Sequence, residues 1–99
     1  MVKEAKPDRA EAETVAIQAL SFLAADPARL GRFLAATGIS PRDIRAAARE
    51  PSFLAGVLDH LAEDESAMLA FATETATPPE RIVGARALLS GRPIERDTP

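Results

Sequence analysis

Pro51-Ser52-Phe53-Leu54-Ala55-Gly56-Val57-Leu58-Asp59-His60-Leu61 carries Phe53, Leu54, Val57, Leu58 and Leu61 three and four residues apart. That spacing lays large apolar side chains along one stripe of an α-helix, and it has no counterpart in the two-residue period of a strand. The proline at its head has a φ already suited to the first helical position and lacks an N–H that would be orphaned there. The same punctuation recurs on either side, at Asp26-Pro27, Ser40-Pro41 and Thr77-Pro78, with Glu50-Pro51 a weaker fourth. In the first three, a short side-chain oxygen can accept a free N–H of the helix that follows. Asp43 and Glu80 stand at the third helical position after two of these starts, where an acid meets the positive end of the helix dipole. Gly38 and Gly91 read as stops.

Working outward, Ala12, Val15, Ala16, Ala19, Leu20 and Leu23 form a second apolar stripe at helical spacing. Glu63-Asp64-Glu65 interrupts the apolar pattern, and Asp64 can cap the segment after it. Helices are therefore expected over 9–25, 27–37, 41–49, 51–62, 65–75 and 78–89. No segment alternates as a strand would. The expectation is all-α, a compact bundle of five or six short helices. A flexible segment 1–8 precedes a single helical domain 9–91, and a disordered tail 92–99 follows. Phe22, Phe33, Phe53 and Phe71 come from different helices and are expected in the core, with Leu20, Leu23, Leu34, Leu58, Leu61 and Leu69 around them. Ser40-Pro41-Arg42-Asp43-Ile44-Arg45 and Thr77-Pro78-Pro79-Glu80-Arg81-Ile82 look alike, and shared capping chemistry explains this without an internal repeat.

Ninety-nine residues fit one domain, and 46% are hydrophobic, though nearly half of these are alanines that bury little area each. The net charge of −3 provides no positive field to draw the chain onto phosphate backbones, so generic nucleic-acid binding is disfavoured. With no cysteine, disulfides, thiolate nucleophiles and thiolate metal sites are excluded together. The start, Met1-Val2-Lys3-Glu4-Ala5-Lys6-Pro7-Asp8, mixes both charges without an apolar run, and no stretch has the length of a membrane span. A cytoplasmic protein with no membrane association is expected.

His60 is the single histidine, and on a helix it can meet Glu63 and Asp64 at the third and fourth positions on, as a metal site or an acid/base pair. A protein zinc site needs three or four good ligands. The bland alternative is a solvated acidic helix end, and it is preferred. No catalytic triad can be assembled, and Gly31 and Gly38 belong to no phosphate-cradling run. No cofactor and no metal is expected. Phe33-Leu34-Ala35-Ala36-Thr37-Gly38-Ile39-Ser40 followed by Ile44 has the cadence of a helix-turn-helix, with Arg42, Arg45 and Arg49 as its DNA contacts. Against that, Leu34 stands where close helix contact wants a small residue, and Asp43 and Glu50 dilute the basic face.

Phe33-Leu34-Ala35-Ala36-Thr37-Gly38, Asp43-Ile44-Arg45, the run from Glu50 to Asp59, Asp64-Glu65, Leu69-Ala70-Phe71 and Ala85-Arg86-Ala87-Leu88-Leu89 together resemble an uncharacterised family of small all-helical bacterial proteins, domain of unknown function 3572. The likeness covers roughly residues 12 to 91. His60 stands where such sequences often have Phe, and Ala72 where some have Cys. The resemblance implies a stand-alone helical protein and brings no activity with it. A non-enzymatic module for protein–protein interaction or self-association leads, partnered by another protein or by a second copy in a homodimer. Its expected face is Phe53, Leu54, Val57, Leu58, Leu61, Met68, Leu69 and Phe71. A helix-turn-helix DNA-binding regulator is the alternative, and an enzyme or ligand binder whose site the sequence hides is the third.

Overall fold

Capping chemistry sets where the helices begin. In the computed structural model, which describes residues 8–90, helix α1 spans Arg9–Ala24. Asp8, assigned to the N-terminal segment on sequence grounds, is its N-cap. The Asp8 carboxylate accepts the Glu11 N–H at 2.8 Å, and the Glu11 carboxylate accepts the Asp8 N–H at 3.2 Å, a reciprocal capping box. The remainder of the expected flexible segment, the Gly91 stop and the tail 92–99 lie outside the described residues.

Helix α2, Pro27–Thr37, starts as expected at Asp26, whose carboxylate accepts the Ala28 and Arg29 N–H groups at 2.9 and 3.4 Å. It ends at Gly38, which turns left-handed at φ 74° and donates its N–H to the Leu34 carbonyl oxygen. Helices α4, Pro51–Glu63, and α5, Glu65–Thr75, meet at Asp64, which accepts the Ala67 N–H at 3.1 Å. Helix α6 covers Pro79–Ser90. Ser40 and Glu50 stand in extended backbone just before prolines but make no side-chain cap bond. Proline geometry alone opens those two segments.

The helix expected over 41–49 is two short pieces, a 3-10 turn at Pro41–Asp43 and helix α3 at Ile44–Ala47. Glu50 precedes a proline, which keeps it out of the α region, so the chain must leave the helix before it arrives. It does so through tight bonds from Arg49 N to Ala46 O and from Glu50 N to Ala47 O.

Helices α1, α4 and α6 pack mutually, with α2 against α1 and α5 against α4. Alanine supplies the seam. Ala12, Ala16 and Ala19 of α1 and Ala85 of α6 have no exposed surface, and Ala55 of α4 is nearly as buried. Small side chains let helix axes approach, and the larger groups Leu23, Val57, Leu58, Leu61, Phe71, Ile82 and Leu89 fill around them. Phe22 meets Phe71 edge to face at 5.6 Å, and Phe33 meets Phe53 likewise at 5.8 Å. Phe33 and Phe71 are fully buried, while Phe22, Phe53 and Leu34 are partly so.

Leu69 departs from expectation: it is 54% exposed and no part of the core. It lies two residues from both Ala67 and Phe71, which at about 100° per residue places it on the far side of α5. Among the described residues there is no strand, and no helix is long and apolar enough to cross a membrane.

Candidate functional site

Between the first half of α1 and the connection from α5 to α6 runs a groove of about 600 Å³, open to solvent. One wall is a single face of α1, formed by Ala10, Glu11, Thr14, Val15 and Gln18; the other is Ala76, Thr77, Pro78 and Arg81. The second wall owes its shape to how α5 ends. Thr77 N–H reaches back to the Ala72 carbonyl at 3.0 Å and Ala76 N–H to that of Thr73 at 3.4 Å, the paired closure of a Schellman motif. The residue at its left-handed position is Ala76, at φ 54°, where glycine is usual.

Thr77 had been expected to cap α6. Its side chain is instead buried against Thr75, the two hydroxyls lying 2.7 Å apart, while the Thr75 hydroxyl donates to the Phe71 carbonyl oxygen at 2.7 Å. The cap is dispensable because Pro78 and Pro79 lack the N–H groups that need one. Within the groove, the Glu11 carboxylate is committed to the Asp8 amide. Half-buried Arg81 has a guanidinium with no ion pair or hydrogen bond among the described residues.

The residues singled out by sequence are distributed differently. Leu54, Val57, Leu58, Leu61 and Phe71, five of the eight assigned to an interaction face, are buried inside the chain and present no face at all. Phe53 and Met68 are half-buried against the core, which leaves Leu69 alone exposed. The stripe was genuine, but other helices of the same chain cover it. His60 packs edge-on to the Phe33 ring at 5.3 Å. With Leu23, Arg29, Arg32, Leu61, Asp64 and Ala67 it lines a recess of about 10 Å³, room for no more than one water. Asp64 is engaged in its cap, Glu63 is exposed, and no group of three metal-ligating side chains occurs among the described residues. Arg42, Arg45 and Arg49 are all exposed, along the 3-10 turn, α3 and the turn after it. The glycine corner of a helix-turn-helix is therefore present, but the element beyond it is far shorter than a helix that lies along a groove of DNA.

A family model described as "Protein of unknown function (DUF3572)" matches residues 9–92. The chain belongs to this family. The match begins on the first residue of α1 and runs past the last of α6, so the DUF3572 region contains both walls of the groove and every helix of the bundle. No curated protein and no solved structure matches the chain. Sequence had pointed to none of the groove residues as a set, because residues 10–18 and 76–81 meet only through tertiary packing. One local signal was available: Asp8-Arg9-Ala10-Glu11 has the spacing of a capping box.

Proposed function

We propose that this DUF3572 protein is a non-enzymatic, cytoplasmic helical module that binds another protein, with the α1/α5–α6 groove as its docking surface and an acidic segment of the partner as the occupant. Arg81 carries the proposal. A half-buried guanidinium without an anionic partner among the described residues offers a bidentate site for a carboxylate, and its desolvation is compensated when one arrives. Val15, Ala76 and Pro78 supply apolar contact beside it. The open form of the groove suits a polypeptide laid along it better than a small molecule, which gains affinity from enclosure.

The test is a photo-crosslinking residue in place of Gln18, used in the chain's own host with the fold of each variant checked by circular dichroism. The expected result is a discrete polypeptide adduct that disappears with Arg81→Glu and persists with Arg45→Glu. An adduct of twice the chain mass would identify a second copy as the partner. Adducts equally strong in both variants, or a nuclease-sensitive adduct lost with Arg45→Glu, would refute the groove and favour the arginine corner.

A further inference from the structure

Residues 27–49 carry far less of the core than the helices on either side. Helix α1 buries six side chains and α4 five. Between Pro27 and Arg49 the one fully buried side chain is Phe33, and none is buried in the 3-10 turn or α3. Leu34, Ile44 and Ala48 rest only partly buried against the core. The hydrogen bonds and ion pairs of this stretch are all local, Arg29 to Asp26 and the helix and turn bonds, so that among the described residues none ties it to another helix. It is fastened by three ring contacts. Phe33 sits edge-on between Phe53 at 5.8 Å and His60 at 5.3 Å, both on α4, and the Arg29 guanidinium lies 4.9 Å over the Phe22 ring. Each end of the stretch is an extended residue followed by proline, Asp26 at φ −120° and Glu50 at φ −94°.

We propose that residues 27–49 form an arm that opens as a unit about Asp26 and Glu50 while α1, α4, α5 and α6 stay folded, with Phe33 as its latch. Opening must withdraw one buried ring, and it breaks no hydrogen bond or ion pair to the remaining helices; once detached, helices of 11 and 4 residues are too short to persist in water, so the arm's own amide bonds are lost with its packing. The free energy of that step is a fraction of global unfolding, which is the condition for a separate cooperative unit. The opened state uncovers Phe53 and the ring of His60. The face of α4 that carries Phe53 and His60, half-buried in the bundle, thus becomes fully accessible through the arm alone.

Native-state hydrogen exchange of the full chain in sub-denaturing urea tests this. The Phe33, Leu34, Gly38 and Ala48 amides should exchange roughly 10- to 1000-fold faster than those of Leu58, Leu61 and Ile82, and with a shallower urea dependence because less surface is exposed. The decisive variant is Ile82→Val, a trimming of the core outside the arm. It should quicken exchange in α4 and α6 by about 2- to 10-fold and leave the arm amides unchanged, since the opened state keeps the α6 packing. Phe33→Leu should quicken exchange in the arm itself by roughly 10-fold. Arm amides that match α4 and α6 in rate and urea dependence, and that quicken equally with Ile82→Val, would show that the arm opens only with the whole chain. No change in arm exchange with Phe33→Leu would remove Phe33 as the latch.

Discussion

Gly38 and Ala76 adopt the same left-handed backbone, at φ 74° and 54°, yet only one of them is a residue that does so freely. The Cβ of an L-residue crowds the carbonyl there, at roughly 1 to 2 kcal/mol. A Cβ built on Gly38 meets nothing within 4 Å, so Gly38→Ala tests backbone strain with no steric complication. It should destabilise by about 1 kcal/mol. Ala76→Gly should move the other way and raise the melting temperature, because it relieves the same strain at the turn that walls the groove. Thermal melts followed by circular dichroism check the pair, and equal signs for both would contradict the assignment. Gly38 was legible in the sequence because glycine announces a left-handed stop, whereas alanine at 76 announces nothing. Arg42, Arg45 and Arg49 were legible as a basic row, and all three are exposed, but a row of arginines does not specify a ligand. If the groove rather than this corner is the binding surface, a random-duplex selection should return no enriched sequence, and Arg45→Ala should leave the salt dependence of any residual DNA association nearly unchanged.

At the scale of the element, the local chemistry of helix starts was read well and the bonds that enforce it less so. Asp26 and Asp64 cap as their positions imply, because a short carboxylate can reach the first free N–H groups without competition. Ser40 stands at the right place without a cap bond, and Thr77 is diverted to Thr75. Asp8→Ala should therefore cost about 1 kcal/mol, the usual worth of an N-cap, while Ser40→Ala should be nearly neutral. Urea midpoints at constant slope distinguish the two, and a Ser40→Ala loss as large as that of Asp8→Ala would show the hydroxyl to be in use. The early end of the third helix was written in Glu50-Pro51, since the residue before a proline resists helical backbone. What sequence could not provide was the cover for each stripe. Helical spacing identifies the apolar side of α4, but whether another helix of the chain or a partner lies on it depends on contacts between residues far apart in sequence. Five of the eight residues of the supposed interaction face thus proved to be interior, and the groove, built from residues 10–18 and 76–81, carried no signal beyond the capping-box spacing of Asp8 and Glu11.

For the molecule as a whole, alanine changes its meaning once the helices are assembled. Counted by area, alanine contributes little and the chain looks short of core. In the bundle, Ala12, Ala16, Ala19 and Ala85 have no exposed surface, in helices that pack directly on one another. Their value lies in the absence of side chain: they let α1, α4 and α6 close until the larger groups around them interlock. The two views make opposite predictions for Ala16→Leu. If buried apolar area were the limiting quantity, three more carbons at an interior position would stabilise the fold. If close approach is what holds it, leucine must force the helices apart or twist out of its rotamer, at about 1 to 3 kcal/mol. The second outcome is expected, and a loss of that size is a large part of the stability of a small domain. Leu69→Ala serves as the counterpart. It removes a large apolar side chain that is 54% exposed, and it should change stability by no more than about 0.5 kcal/mol. Thermal melts of the two variants beside the parent decide the matter, at about 4 to 8 °C in melting temperature for each kcal/mol. A midpoint for Ala16→Leu at or above that of the parent would show the seam to be loosely packed.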